Sequence, residues 1–219
     1  MLFRSNAIRG HAAEFGLTAA KGMAHIVPLL ERIATDETLP LLARELFALQ
    51  QGELARLEVE IATLDARLKA WHHADECSRR LVEIPTVGPI IAALLTMKTP
   101  APELFRSGRD FAAWIGLTPR DHSTAGKARL GVITRAGDEA LRSALVVGAT
   151  ALLQHVRARR SPHASPWLLD LLKRKPPKLA AIALANKTAR IAWKLMVTGE
   201  RYQPRSAPRS MVAPIAIAA

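Results

Sequence analysis

Cysteine is nearly missing from this chain: Cys77 is the single one among 219 residues. A disulfide framework is therefore excluded, and the usage fits a reducing cytoplasm. Aromatic side chains make up only 5%. Strands favour aromatic and β-branched residues, so a chain rich in Ala and Leu instead is expected to be helical. No apolar run reaches the roughly 18 residues that span a bilayer, and Met1 to Gly10 lacks the apolar core of a signal peptide. No membrane partner is expected.

Clustered metal ligands are lacking as well. His72, His73 and Cys77 have no second pair at zinc-ligand spacing, and a His pair at a helix end is expected to be solvated. A phosphate-binding P-loop fails at AGKARLG, where Ala128 replaces the Ser or Thr that would meet Mg²⁺ and no glycine stands five positions before Gly126. A two-metal nuclease centre needs gathered carboxylates. Asp110, Asp121, Asp138 and Glu139 make no convincing set. No metal site and no cofactor is expected within this chain.

What is present is positive charge, unevenly placed. Met1 to Gly88 holds 10 Lys+Arg against 12 Asp+Glu, whereas Pro89 to Ala219 holds 21 against 7. A basic second part beside a near-neutral first part points to a polyanionic partner, DNA or RNA. The plainer alternative is a solvated cationic surface. Hydrophobic residues make up 49% of the chain, enough for a real core and too many for a disordered chain.

The apolar pattern predicts an all-α fold. Residues 1–36 read as two short helices, the first closing at Gly16. A long helix starts near Pro40 and fills a segment over 37–78. Within it Leu54, Leu57, Ile61, Leu64, Leu68 and Trp71 recur at spacings of 3, 4, 3, 4 and 3, and Phe47 and Gln50 continue the register backward. Such a repeat is the seam of a coiled coil, with Glu58, Glu60, Asp65 and Arg67 flanking it. The seam predicts pairing, between two copies or within a hairpin; the alternative is an amphipathic helix lying on its own domain.

A compact helical domain is expected over 79–201. Its first element, LVEIPTVGPIIAALL at 81–95, resembles a helix-hairpin-helix motif. Gly88 is expected to take a backbone angle other residues avoid, and the hairpin amides to face a DNA phosphate. Thr86 stands where the usual first glycine would be. The alternative is a hairpin used for packing. FRSGRDFAAWIGL gives a loop and an apolar helix. From Gly137, AGDEALRSALVVGATALLQHVRARR places acids at the start of a helix and arginines at its end, as the helix dipole prefers. WLLDLLKRK is a short helix. PPKLAAIALANKTARIAWKLMVTG is a central one ending at Gly199, whose Asn186 and Lys187 serve either a buried hydrogen bond or a phosphate. Residues 202–219 are expected to be a disordered tail.

The stretch LTPRDHSTAGKARLGVITRAG, residues 117–137, carries the chemistry. It reads as a basic loop in which Ser123 is flanked by Arg120, His122, Lys127, Arg129 and Arg135. Attack on a phosphodiester builds charge on the phosphorus oxygens, and fixed cations beside a hydroxyl stabilise that charge. By residue type alone, a serine that only braces its own turn is the favoured reading.

IPTVGPIIAALL, FRSGRDFAAWIGLTPR, HSTAGKARLGVITRAGDEALR and ALANKTARIAWKLMVTGERYQP, in that order, resemble the carboxy-terminal domain of transposases of the IS110/IS116/IS902 family. The resemblance runs from about Asn6 to Pro204. It implies a two-part recombinase: an amino-terminal RuvC-like domain with four acidic metal ligands, a coiled-coil insertion, and a helical domain with a serine nucleophile. Alignment on Arg135-Ala136-Gly137 places that serine at Ser123, and counting from LTPR places it at Thr124. A covalent serine–DNA intermediate and an element-encoded structured RNA that selects both DNAs are further implications. Mg²⁺ is expected only with the acidic domain, whose motifs this sequence does not contain. A transposase part inactive on its own is therefore the leading expectation. A non-catalytic DNA/RNA-binding module and a helical adaptor are the competitors.

Overall fold

The computed structural model describes residues 2–124, 129–158 and 163–204. Lys127 and residues 205–219, most of the expected tail, lie outside the described residues. The chain divides into two compact units, Met1–Arg67 and Leu68–Ala219.

In the first unit, α1 (Leu2–Glu14) ends as its glycine foretells. Gly16 adopts φ +76, and the Leu17 amide turns back to the Ala12 carbonyl at 3.0 Å, closing the last turn in the left-handed manner that glycine allows. A 3-10 turn at Met23–His25 leads into α2 (Ile26–Thr35). Ile26, Leu29, Leu30 and Ile33 fall on one helical face and are buried there. The long helix α3 (Leu41–Ala74) presses Phe47 and Leu54 into the same cluster, together with Ile8 and Ala12. Beyond Leu54 the seam opens to solvent: Leu57 is half-buried, Ile61 is 44% exposed and Leu64 61%, and Leu68 and Trp71 are half-buried again. The repeat thus does two things. Its first part packs on α1 and α2, and Ile61 and Leu64 are exposed among the described residues.

The second unit starts with the last residues of α3. Asp75 then caps α4 (Glu76–Leu81) through the Ser78 amide at 2.6 Å. His72, expected to be solvated, is buried and bonds Ser78 Oγ through Nδ1 at 2.7 Å. The helices that follow are α5 (Pro89–Lys98), α6 (Gly108–Trp114), α7 (Glu139–Arg157), α8 (Pro166–Arg174) and α9 (Pro177–Thr198), with a 3-10 turn at Pro102–Leu104. As the sequence indicated, α9 is central: it touches α4, α6, α7 and α8. It fits there because Ala180, Ala181, Ala185, Ala189 and Ala192 are buried, so backbones approach closely. A side chain at Gly108 of α6 would come within 3.0 Å of the Arg190 carbonyl on α9. The helix ends at Gly199, φ +67.

Among the described residues the fold is all-α with one exception. Between α6 and α7, in the stretch read as a loop, β1 (Pro119–Asp121) and β2 (Leu130–Ile133) form a two-stranded antiparallel ribbon. Val132 and Ile133 are β-branched and suit it, but strands this short show no alternation long enough to read.

One expectation about Gly88 is corrected: its φ is −91, an angle any residue adopts, and a Cβ there would meet nothing within 4 Å. The α4–α5 turn also packs against the core. A Cβ on Gly148 of α7 would lie 2.1 Å from the Thr86 carbonyl, and Thr86 Oγ1 bonds Thr188 Oγ1 of α9 at 2.6 Å. Thr86, where the motif has glycine, is thus committed to the core. Tyr202, placed by the sequence in the tail, is tied to the domain: its amide bonds Glu83 Oε2 at 3.1 Å.

Candidate functional site

The ribbon rises from a tight base. Gly116 (φ +81) and Gly137 (φ +72) sit where the end of α6 passes the start of α7. A Cβ on Gly116 would fall 2.2 Å from the Ala136 carbonyl, and one on Gly137 would fall 1.9 Å from the Trp114 carbonyl. No side chain fits at either place, and both backbones need the left-handed region. Arg142, buried in α7, clamps this crossing by donating to the Ile115 carbonyl at 3.0 Å and the Ala136 carbonyl at 2.8 Å. One of the basic half's cations is therefore structural. Lys98 adds a 2.5 Å ion pair to Asp138, the cap of α7.

Above the base, Pro119 pairs with Ile133 and Asp121 with Leu130, with an irregularity between the two pairs. The His122 amide bonds the Arg129 carbonyl at 2.9 Å, and the His122 ring packs against Gly131, where a Cβ would come within 3.1 Å of it. Ser123 follows directly. Its amide donates to Asp121 Oδ1 at 2.8 Å, and its Oγ accepts from the Arg129 amide at 2.9 Å. The Ser123 hydroxyl, and after it the Ser123 amide, hold the Asp121 carboxyl below its usual range. Ser123 thus closes an Asx-type turn and also bonds the opposite arm of the ribbon.

Arg120, Ser123, Thr124, Arg129 and Arg135 are all exposed. Arg120 lies on β1 and Arg129 just before β2, so the ribbon carries both, and the Arg129 amide is the group that meets Ser123 Oγ. Arg135, just after β2, adopts φ 56, the one non-glycine residue among those described with a positive φ. Gly88 caps the first end of the ten-residue α5, about 15 Å of helix from Lys98, the α5 residue paired at the ribbon's base. Asn186 takes the structural option: its amide donates to the Leu117 carbonyl at 3.2 Å.

Two residues that matter here were absent from the sequence-based site. Asp121 was weighed only as a metal ligand, although an Asp two residues before a Ser is itself a turn signal. Arg142 gave no signal, since its partners are carbonyls brought near by folding. Among the described residues, no three His, Cys, Asp or Glu side chains gather as a metal site. No helix among them is long and apolar enough to cross a membrane.

Comparison with known proteins gives the geometry a family context. Residues 78–164, which span the ribbon, match the family model described as "Transposase IS116/IS110/IS902 family". "Putative transposase y4pF/y4sB" of Sinorhizobium fredii is 69% identical over 199 residues, covering 91% of this chain and 51% of that protein. "Probable family 20 transposase" of Pseudomonas aeruginosa is 41% identical over 202 residues, 91% of this chain and 60% of that protein. "Transposase for insertion sequence element IS1111A" of Coxiella burnetii is 36% identical over 200 residues, 90% and 55% respectively. The chain spans between half and three-fifths of the length of these curated relatives.

Proposed function

The chain belongs, through residues 78–164, to the transposase IS116/IS110/IS902 family, and on that premise we propose that it takes part in DNA transposition as the serine-bearing part of a recombinase. One observation supports this reading most: Ser123 is exposed on a ribbon with a rigid base, its Oγ held by the Arg129 amide, and the exposed Arg120 and Arg129 belong to the same ribbon. In the proposed step, Ser123 Oγ forms a bond to a DNA phosphorus and its proton passes to a base. The bond from phosphorus to one sugar oxygen breaks, and that oxygen takes up a proton. Charge grows on the non-bridging oxygens, where guanidinium groups stabilise it. The ester stays on the serine until a hydroxyl of the other DNA end replaces it. Thr124, exposed beside Ser123, is the alternative nucleophile.

The family resemblance implies Mg²⁺, and the described acids do not fit it. Asp121 is engaged by Ser123, and Asp138 caps α7 and pairs with Lys98. The proposal is therefore that Ser123 acts only beside carboxylates from another polypeptide segment, and that this chain alone neither cuts nor joins DNA. An element-encoded structured RNA is the second proposed partner, and the cytoplasm the proposed location.

A complementation assay tests this. The chain alone, with element-end DNA, element RNA and Mg²⁺, is expected to bind without forming a covalent adduct; a Ser123-dependent adduct would overturn the claim of inactivity. Mixed with a full-length relative whose own serine is replaced, the chain is expected to form the adduct. Ser123→Ala is expected to abolish it and spare binding. An undiminished adduct would remove Ser123 from the role.

A second reading has its own observation. Both polar atoms of Ser123 are occupied within the turn, as in a serine that only braces a ribbon. The chain would then be a non-catalytic nucleic-acid-binding module. Under either reading, Arg129→Ala weakens binding and lowers the salt slope by about one. An adaptor with incidental charge would show no such affinity.

Self-association is also proposed, through the exposed Ile61 and Leu64 of α3. Sedimentation of the chain is expected to show an oligomer that Ile61→Lys with Leu64→Lys converts to monomer. A monomeric parent chain would rule it out.

A further inference from the structure

The α8–α9 elbow carries a second concentration of charge, away from the ribbon strands. Leu168 is buried, and Leu171 and Leu172 are half-buried, so these three form the inward face of α8. Trp167 lies on the margin of that face and is 39% exposed. The half-buried Lys187 places its ammonium over one face of this part-exposed ring, 4.0 Å from the centroid.

The chain then runs Lys173-Arg174-Lys175-Pro176-Pro177-Lys178, with all six residues exposed and no acid among them. Asp170 pairs with Arg174 at 2.7 Å and offsets part of the charge. The two prolines fix the turn from α8 to α9, so Lys175 and Lys178 are presented with little backbone freedom to lose on binding. Asn186, next to Lys187 in α9, bonds the Leu117 carbonyl two residues before β1.

We propose that the α8–α9 elbow is a site for single-stranded nucleic acid, in which Trp167 stacks on an unpaired base while Lys187 and the 173–178 cations hold its phosphates. Stacking on an aromatic side chain requires a base that is not already inside a duplex. The paired indole and ammonium match the alternation of base and phosphate along one strand. A site for duplex alone needs the cations and has no use for the indole. The site depends on no chemistry at Ser123 and stands whether or not the recombinase reading holds.

The test measures affinity of the full chain for labelled oligo(dT), oligo(U) and a duplex of equal length across a salt series. Trp167→Leu keeps apolar bulk without a π-face, and Trp167→Phe keeps a π-face. Trp167→Leu is expected to weaken single-strand binding about tenfold and leave duplex binding unchanged. Trp167→Phe is expected to retain most of it, which separates stacking from any loss of fold. Replacing Lys173, Lys175 and Lys178 by Gln is expected to lower the single-strand salt slope by about two. The oligo(dT) and oligo(U) arms tell DNA from RNA as the natural strand. Equal single-strand affinity of Trp167→Leu and the parent would overturn the site, and so would an equal loss on duplex. Arg120→Gln with Arg129→Gln tests the ribbon separately and is expected to leave the Trp167 effect in place.

Discussion

The Arg129 amide donates a 2.9 Å hydrogen bond to Ser123 Oγ, from one arm of the ribbon to the other. The proposed nucleophile is therefore positioned by a backbone group, which no side-chain substitution at 129 removes. Replacing Arg129 should take away charge and leave the serine in place. This separates the electrostatic part of the site from its geometry.

Arg135 holds a left-handed backbone, φ 56, that costs a residue with a Cβ about 1–2 kcal/mol. Arg135→Gly is expected to raise the stability of the chain by about 1 kcal/mol in urea unfolding, since glycine adopts this angle freely. The same variant is expected to bind DNA more weakly. Loss of both stability and binding would show that the guanidinium supports the fold.

Asp121 supplies a pH dependence. The Ser123 hydroxyl and amide lower its folded pKa, so the turn gains from the ionised carboxylate. That contribution is complete above the ordinary carboxylate range and is lost as pH falls through the lowered value. The Ser123 amide resonance should therefore shift on acidification below about pH 4. Asp121→Asn should abolish the shift.

Gly137 and Gly88 should answer oppositely to a side chain. Gly137→Ala places a Cβ 1.9 Å from a main-chain oxygen at φ +72, and is expected to cost about 3 kcal/mol or more. Gly88→Ser puts a capping hydroxyl at the start of α5, where φ is −91 and space is open. It is expected to stabilise by a few tenths of a kcal/mol. Thermal unfolding of the two variants decides this.

Arg142→Met keeps bulk and removes the donors to the Ile115 and Ala136 carbonyls. Leaving the buried Ile115 acceptor and the part-buried Ala136 acceptor unmet is expected to cost about 1–3 kcal/mol. Faster hydrogen exchange at Thr134, whose amide bonds the Thr118 carbonyl, should accompany the loss. Unchanged exchange there would mean that the clamp does not hold the ribbon.

Much of the helical frame was legible in the residues because its causes are local. Gly16 and Gly199 end helices by their own backbone freedom, and Asp138 caps α7 three residues from the amide it accepts. The apolar spacing along α3 announced its length, and the alanines of α9 announced its central place. The serine site was legible only as a list of residue types. Its cations and hydroxyl could be named, but not the ribbon that sorts them, because strands of three and four residues are too short to leave a pattern.

The sequence by itself determined where helices form and where charge collects, since both follow from near neighbours along the chain. Tertiary structure alone decided that Gly116 and Gly137 cross without room for a side chain and that Arg142 serves carbonyls. These are contacts between segments distant in sequence, and their energies exist only once folding has brought the segments within bonding distance.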